Sequence, residues 1–90
     1  MEVLKRSSKR QKFSMAKLKR GIQRAARDAK LTRVQQREVV RTVAASVAKG
    51  LKGRRSIKAA ALRRKVLTRL DRTSRATASA WRRYDRKRRR

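Results

Sequence analysis

Cysteine and histidine are both absent from this 90-residue chain, and acids are scarce at five. Without the first two there is no disulfide framework, no thiolate nucleophile and no zinc site of the usual ligand types. General acid–base chemistry near neutral pH also loses its commonest side chain. The carboxylates Glu2, Asp28, Glu38, Asp71 and Asp85 never stand three or four residues apart, so no carboxylate pair is set up on one helix face and no enzyme activity is expected. Long apolar runs are missing too. The longest is Ala59-Ala60-Ala61-Leu62, far short of the roughly 20 residues that cross a bilayer. Lys5, Arg6, Lys9 and Arg10 are not followed by an apolar stretch, so no signal peptide is expected and the chain is placed in the cytoplasm. A membrane partner is not expected either, because the basic helices lack the Trp- and Phe-rich opposite face that insertion takes. Asparagine is missing as well as cysteine, a tendency of thermophilic chains that suggests an archaeal source.

Cations fill the space left by these absences. Thirty-two residues are Lys or Arg, 21 of them Arg, and the formal net charge is +27. Self-repulsion of this size opposes compaction and is ordinarily offset by a phosphate-rich partner. Arg is preferred to Lys where phosphate is gripped in a planar, bidentate way or a base is stacked upon. A single domain of this length buries only roughly 60–65% of the surface its unfolded chain exposes, so the core is expected to be thin.

Along the chain the apolar pattern predicts a mainly α fold, a short N-terminal β-hairpin followed by about four helices. Val3 and Phe13 flank Arg6-Ser7-Ser8-Lys9, which suits a hairpin with Ser7 and Ser8 at its turn. Ser14 is placed to cap a first helix with Met15, Leu18, Ile22, Ala25, Ala26 and Ala29 on one side and Lys17, Lys19, Arg20, Arg24 and Arg27 on the other. Thr32 followed by Gln35 is a capping-box start for a second helix, with Val40, Val43, Ala44 and Val47 inward and Gly50 at or near its end. Residues 49–55, with two glycines and four cations, form the clearest loop. Ser56 then caps a third helix carrying Ala59, Leu62, Val66 and Leu70 on one face, and Asp71 caps a fourth with Ala80, Trp81 and Tyr84 inward. Phe13, Trp81 and Tyr84 are expected in the core, with base stacking as the alternative role. Residues 1–85 form one domain, and 86–90 a basic tail that orders on binding.

Several residues at fixed offsets resemble the ATP-cone domain, a hairpin-plus-four-helix module of ribonucleotide reductases and of a bacterial repressor of their genes. That family opens with hydrophobic-x-Lys-Arg-Asp-Gly, a Phe, and Lys-hydrophobic-x-x-Ala-Ile. Here the stretches are Val3-Leu4-Lys5-Arg6-Ser7-Ser8, Phe13-Ser14 and Lys17-Leu18-Lys19-Arg20-Gly21-Ile22. The likeness continues through Ala25-Ala26, the Thr32 start and the segment from Ser56 to Leu67-Thr68-Arg69-Leu70-Asp71, covering roughly residues 3–85. The resemblance implies an ATP site whose phosphates are approached by Lys5, Arg6, Lys17 and Ser56. Ser7-Ser8 stands where the family has Asp-Gly, and the family is ordinarily less basic.

Charge on every element suits a protein embedded among several RNA segments, since a duplex DNA reader usually gathers its cations on one face. The expected function is a structural, lineage-specific rRNA-binding protein, set among neighbouring ribosomal proteins and preferring rRNA to DNA. Its candidate phosphate contacts are Lys5, Arg6, Lys9, Arg10, Lys17, Arg20, Arg33, Arg37, Arg41, Lys52, Arg54, Arg55, Arg63, Arg64, Arg82, Arg83, Arg86 and Arg88. Arg33, Arg37 and Arg41 stand out because like charges four apart destabilise a helix, and Glu38 is the only acid beside them. The alternatives are a DNA-coating nucleoid protein and an ATP-responsive regulator. If six to ten phosphates are neutralised, nucleic-acid affinity falls by roughly 10³–10⁵ between 50 and 200 mM salt. A binding titration across that range checks this, and an affinity indifferent to salt contradicts it.

Overall fold

Three short strands and four helices follow one another as β1 (Glu2–Leu4), β2 (Arg10–Lys12), α1 (Met15–Asp28), α2 (Arg33–Leu51), β3 (Ser56–Lys58), α3 (Ala59–Thr73) and α4 (Arg75–Arg88). The computed structural model describes residues 1–5 and 9–88. The fold is mainly helical, with the expected hairpin at its start. β1 and β2 pair antiparallel with Val3 opposite Gln11, and the Lys5 N–H donates to the Lys9 carbonyl at 2.9 Å. The expected turn residues Ser7 and Ser8, with Arg6, lie outside the described residues.

Two helix starts are built as local chemistry dictates. Ser14 Oγ accepts from the Lys17 N–H at 3.2 Å. Thr32 Oγ1 accepts from the Gln35 N–H at 3.1 Å while Gln35 Oε1 accepts from the Thr32 N–H at 2.9 Å, so two otherwise unpartnered donors are satisfied reciprocally. The exit of α1 is less ordinary. Lys30 has φ 64, its N–H donates to the Arg27 carbonyl at 2.9 Å, and the Leu31 N–H reaches the Ala26 carbonyl at 3.1 Å. This is a Schellman ending with lysine in the left-handed position glycine usually takes.

The third strand corrects the expectation for Ser56. Ser56 does not cap a helix; it opens β3, which pairs parallel to β1 with Val3 opposite Ile57, giving the sheet order β2-β1-β3. The unpaired side of β1 supplies the backbone partners, and Ile57 is buried between exposed Ser56 and Lys58, which anchors the strand. α3 therefore starts three residues later, with Lys58 at its N-cap and no side-chain cap.

Other boundaries shift because burial outweighs local signals. α2 runs through Gly50 to Leu51, which is buried, and the turn that follows uses Gly53 at φ 82, a conformation glycine adopts without a Cβ clash. Its inward face is Val39, Val43, Ala44, Val47 and Leu51; Val40 stands one position off that line and is half-buried. Asp71 lies inside α3, and Ser74 caps α4 instead. The Ser74 N–H closes α3 onto the Leu70 carbonyl at 2.7 Å, and its own carbonyl accepts from Ala78 at 3.0 Å. α4 continues through Arg88, so residues 86–88 are helical rather than a tail, and no proline or glycine stands there to stop them.

Packing runs in a cycle: α1 against α2 and α4, and α3 against α2 and α4. The core between them is small in volume per residue. Ile22, Val43, Val47, Val66 and Leu70 fill it, and Ala25, Ala26, Ala78 and Ala80 let helix backbones approach. Thr77 is fully buried, and its hydroxyl bonds Ser74 Oγ at 2.8 Å while its N–H donates to the same oxygen at 3.3 Å. Ser74→Ala removes the cap and strands the Thr77 hydroxyl in the core, at a cost of about 2–3 kcal/mol. Ser56→Ala, on an exposed strand position, changes stability by less than about 0.5 kcal/mol. Urea unfolding midpoints at constant slope measure both.

Candidate functional site

The hairpin bounds a concavity in the fold. Its inner face, with α1, α3 and α4, encloses a pocket of about 750 Å³. Val3 and Gln11 face each other across the hairpin and project to one side, with Lys5 two residues beyond Val3. α1 contributes Lys17, Gly21 and Arg24, spaced to share one helix face. From α3 come Ala59, Leu62, Arg63 and Val66, and from α4 come Trp81 and Tyr84.

Cations and aromatic rings share this lining. Lys5, Lys12, Lys17, Arg24 and Arg63 bring five cations to it, and no carboxylate lines it among the described residues. Phe13, Trp81 and Tyr84 are half-buried and form the flat walls. Phe13 and Trp81 also pack against the core, the role expected of them. The Arg24 guanidinium stands 5.7 Å from the Tyr84 ring centroid, within cation–π range. The like charges of Lys5, Lys12, Lys17 and Arg24 around one concavity repel one another, and a bound polyanion relieves that repulsion.

Gly21 lies against the Trp81 indole. A Cβ at this position would meet Trp81 Cζ3 at 3.4 Å and Cη2 at 3.7 Å. The indole thus lies over a stretch of α1 that carries no side chain.

The model of the ATP cone domain family matches residues 1–90. The chain belongs to the ATP-cone family. Comparison with curated proteins returns no match. An ATP cone is a regulatory domain and is not catalytic by itself. In this cone the residues fit the nucleotide their family is named for: the cations suit a triphosphate, the aromatic walls suit a base, and the volume falls in the ordinary range for small-ligand pockets.

Of the four residues that the resemblance assigned to phosphate, Lys5 and Lys17 line the cone's pocket. Arg6 lies outside the described residues, and Ser56 is exposed on β3 and does not line it. Among the other candidate phosphate contacts, Arg63 also lines the pocket. Lys9 and Arg10 are exposed on the hairpin, Arg20 on α1, Arg33, Arg37 and Arg41 on α2, and Lys52, Arg54 and Arg55 in the turn before β3. Arg64 is exposed on α3, as are Arg82, Arg83 and Arg86 on α4, and Arg88 ends that helix. Arg10 pairs with Glu2 at 3.9 Å, Arg41 with Glu38 at 2.7 Å and Arg82 with Asp71 at 2.8 Å. Lys12 and Arg24 line the pocket without having been among the candidate contacts, whereas base stacking was the alternative considered for the three aromatic residues. Arg24 was discoverable, since it follows Lys17 by seven residues on the same helix face; the role of Lys12 depends on hairpin placement and has no local signal. Among the described residues there is no cluster of three potential metal ligands, and no helix is long and apolar enough to cross a membrane.

Gly21→Ala meets the indole at an ordinary van der Waals distance and removes a helical glycine, so it stabilises by up to about 1 kcal/mol, or roughly 4–8 °C in Tm. Gly21→Leu has no such room and displaces the ring. Trp81 is the only tryptophan, so its emission reports both outcomes directly: unchanged in the first variant and shifted in the second.

Proposed function

We propose that this cone is a regulatory nucleotide-binding domain that takes ATP between the hairpin and α1, α3 and α4. The observation that carries the reading is the convergence of five cations and three aromatic rings on one pocket of about 750 Å³. Lys5 and Lys17 approach from the hairpin and from α1 and hold phosphate oxygens, with Arg63 completing the cationic wall from α3. Trp81 and Tyr84 offer faces for the adenine, and Arg24 on Tyr84 fixes one of those faces before the ligand arrives. Ligand binding joins the hairpin to three helices, so the nucleotide acts by fixing their relative positions. This is a binding event that changes conformational stability and breaks no bond.

A second reading rests on different residues. Arg33, Arg37, Lys52, Arg54, Arg55 and Arg64 are exposed away from the pocket, with no carboxylate at ion-pair distance among the described residues, and one ATP leaves them uncompensated. They favour a structural role on rRNA within the ribosome, beside neighbouring ribosomal proteins, through phosphate contacts on several faces. Sedimentation of a cell lysate through a sucrose gradient separates this from a DNA-coating role: ribosome-associated migration supports it, and migration with DNA or with neither contradicts it.

For the nucleotide reading, Lys5→Ala with Lys17→Ala removes two charge-assisted phosphate contacts and weakens ATP binding by roughly 10²–10⁴-fold. Arg33→Ala, Arg37→Ala and Arg41→Ala together leave it within about threefold, because those charges lie on the outer face of α2 and act only through screened distance. Calorimetric titration of both variants is the measurement. Equal losses in the two would show that ATP is held by net charge and not by the pocket.

A further inference from the structure

The pocket has a continuation. A second depression of about 560 Å³ lies along α1, lined by Lys17, Arg20, Gly21, Gln23, Arg24 and Arg27. It shares Lys17, Gly21 and Arg24 with the first. Gly21 lines both, and the benzo edge of the Trp81 ring, Cζ3 and Cη2, rests against it. Four of the six lining residues are cations and none is an acid. The single carboxylate of α1, Asp28, is its last residue.

We infer that the pocket and this depression together form a binding channel for single-stranded nucleic acid. The terminal base enters among Phe13, Trp81 and Tyr84, and the phosphates that follow run past the edge of the Trp81 ring along Arg20, Arg24 and Arg27. The inference rests on the nucleotide reading of the pocket. Three features select this ligand. From Lys17 to Arg27 the helix rises about 15 Å, longer than one triphosphate extends, so a mononucleotide leaves Arg27 unused. The spacing of the cations, three or four residues apart along one stripe, follows a linear chain of phosphates. Bases inside a duplex are stacked on one another and are not free to enter an aromatic pocket, whereas an unpaired terminal base is. ATP and the strand then need Lys17 and Arg24 at the same time, so the two ligands exclude one another, and the nucleotide becomes a competitor that displaces nucleic acid.

The test uses the full chain with ATP, with 5′-phosphorylated oligoadenylates of increasing length and with a blunt duplex, read by Trp81 emission and by calorimetry. Affinity is expected to rise by roughly tenfold or more from the mononucleotide to a strand of about four nucleotides and then level off. ATP displaces the strand completely, and the duplex leaves Trp81 emission unchanged. Arg20→Ala with Arg27→Ala leaves ATP affinity unaltered, weakens the strand by roughly tenfold, and reduces the magnitude of its log–log salt slope by about 1.4, at about 0.7 for each phosphate left without its arginine. Both residues are exposed on α1, so the fold survives their removal. If ATP binds but the strand binds no better than a mononucleotide, the channel is wrong and the pocket reading stands. The channel is equally wrong if the double variant weakens both ligands to the same extent, or if two ATP molecules bind and the second depends on Arg20 and Arg27. Failure of ATP to bind at all overturns both.

Discussion

Like-charge repulsion among 32 cations is the constraint that the rest of this molecule answers to. Every long cationic side chain must reach water or an anion, and the interior is left to Val, Ala, Leu and Ile. Such a core stabilises the chain through burial of many small side chains and close helix approach rather than through large aromatic contacts. The three aromatic residues are correspondingly free of the innermost core and are half-buried at its edge, where they form pocket walls. Charge thus shapes the site twice, by surrounding it with cations and by leaving the rings near the surface.

Where sequence reading succeeded, the signal was local. Ser14 with the Lys17 amide, and Thr32 with Gln35, are interactions closed within one turn of helix, so their spacing alone reveals them. Ser56 and Ser74 show the limit. Both precede helical sequence, yet Ser56 is drawn into a strand because β1, more than fifty positions earlier, has an edge to pair. Ser74 caps α4 because α3 persists past Asp71. A three-residue strand with one buried side chain leaves no readable alternation, so β3 depended on a contact that spacing cannot report. Val39 and Val40 differ by a rotation of about 100° on α2, and the packing of α1 and α3 against that helix, which spacing does not report, decides which faces inward.

The site was legible in part for the same reason. Lys5 and Lys17 stand at offsets that the ATP-cone resemblance carries, and the structure brings both to the pocket. Arg24 and Tyr84 meet across α1 and α4, a tertiary contact between residues sixty apart in the chain. The cations on the outer face of α2 and in the turn before β3 belong to no pocket with Lys5. Their number exceeds what any single nucleotide neutralises, so the charge and the concavity support separate proposals.

The position of β1 bears on the order in which the molecule assembles. It is the middle strand of its sheet, yet Val3 finds its parallel partner only at Ile57. Closing a loop of that length costs roughly 3.5 kcal/mol of chain entropy, while α1 and α2 are local structures that need no such closure. The helices therefore form early and the sheet late. The hairpin that bounds the pocket is fastened down only when β3 arrives, so the pairing of β1 with β3 and the walls of the pocket depend on one another. Amide exchange at Val3 and Ile57 would then gauge, in one observable, how often the site itself ceases to exist.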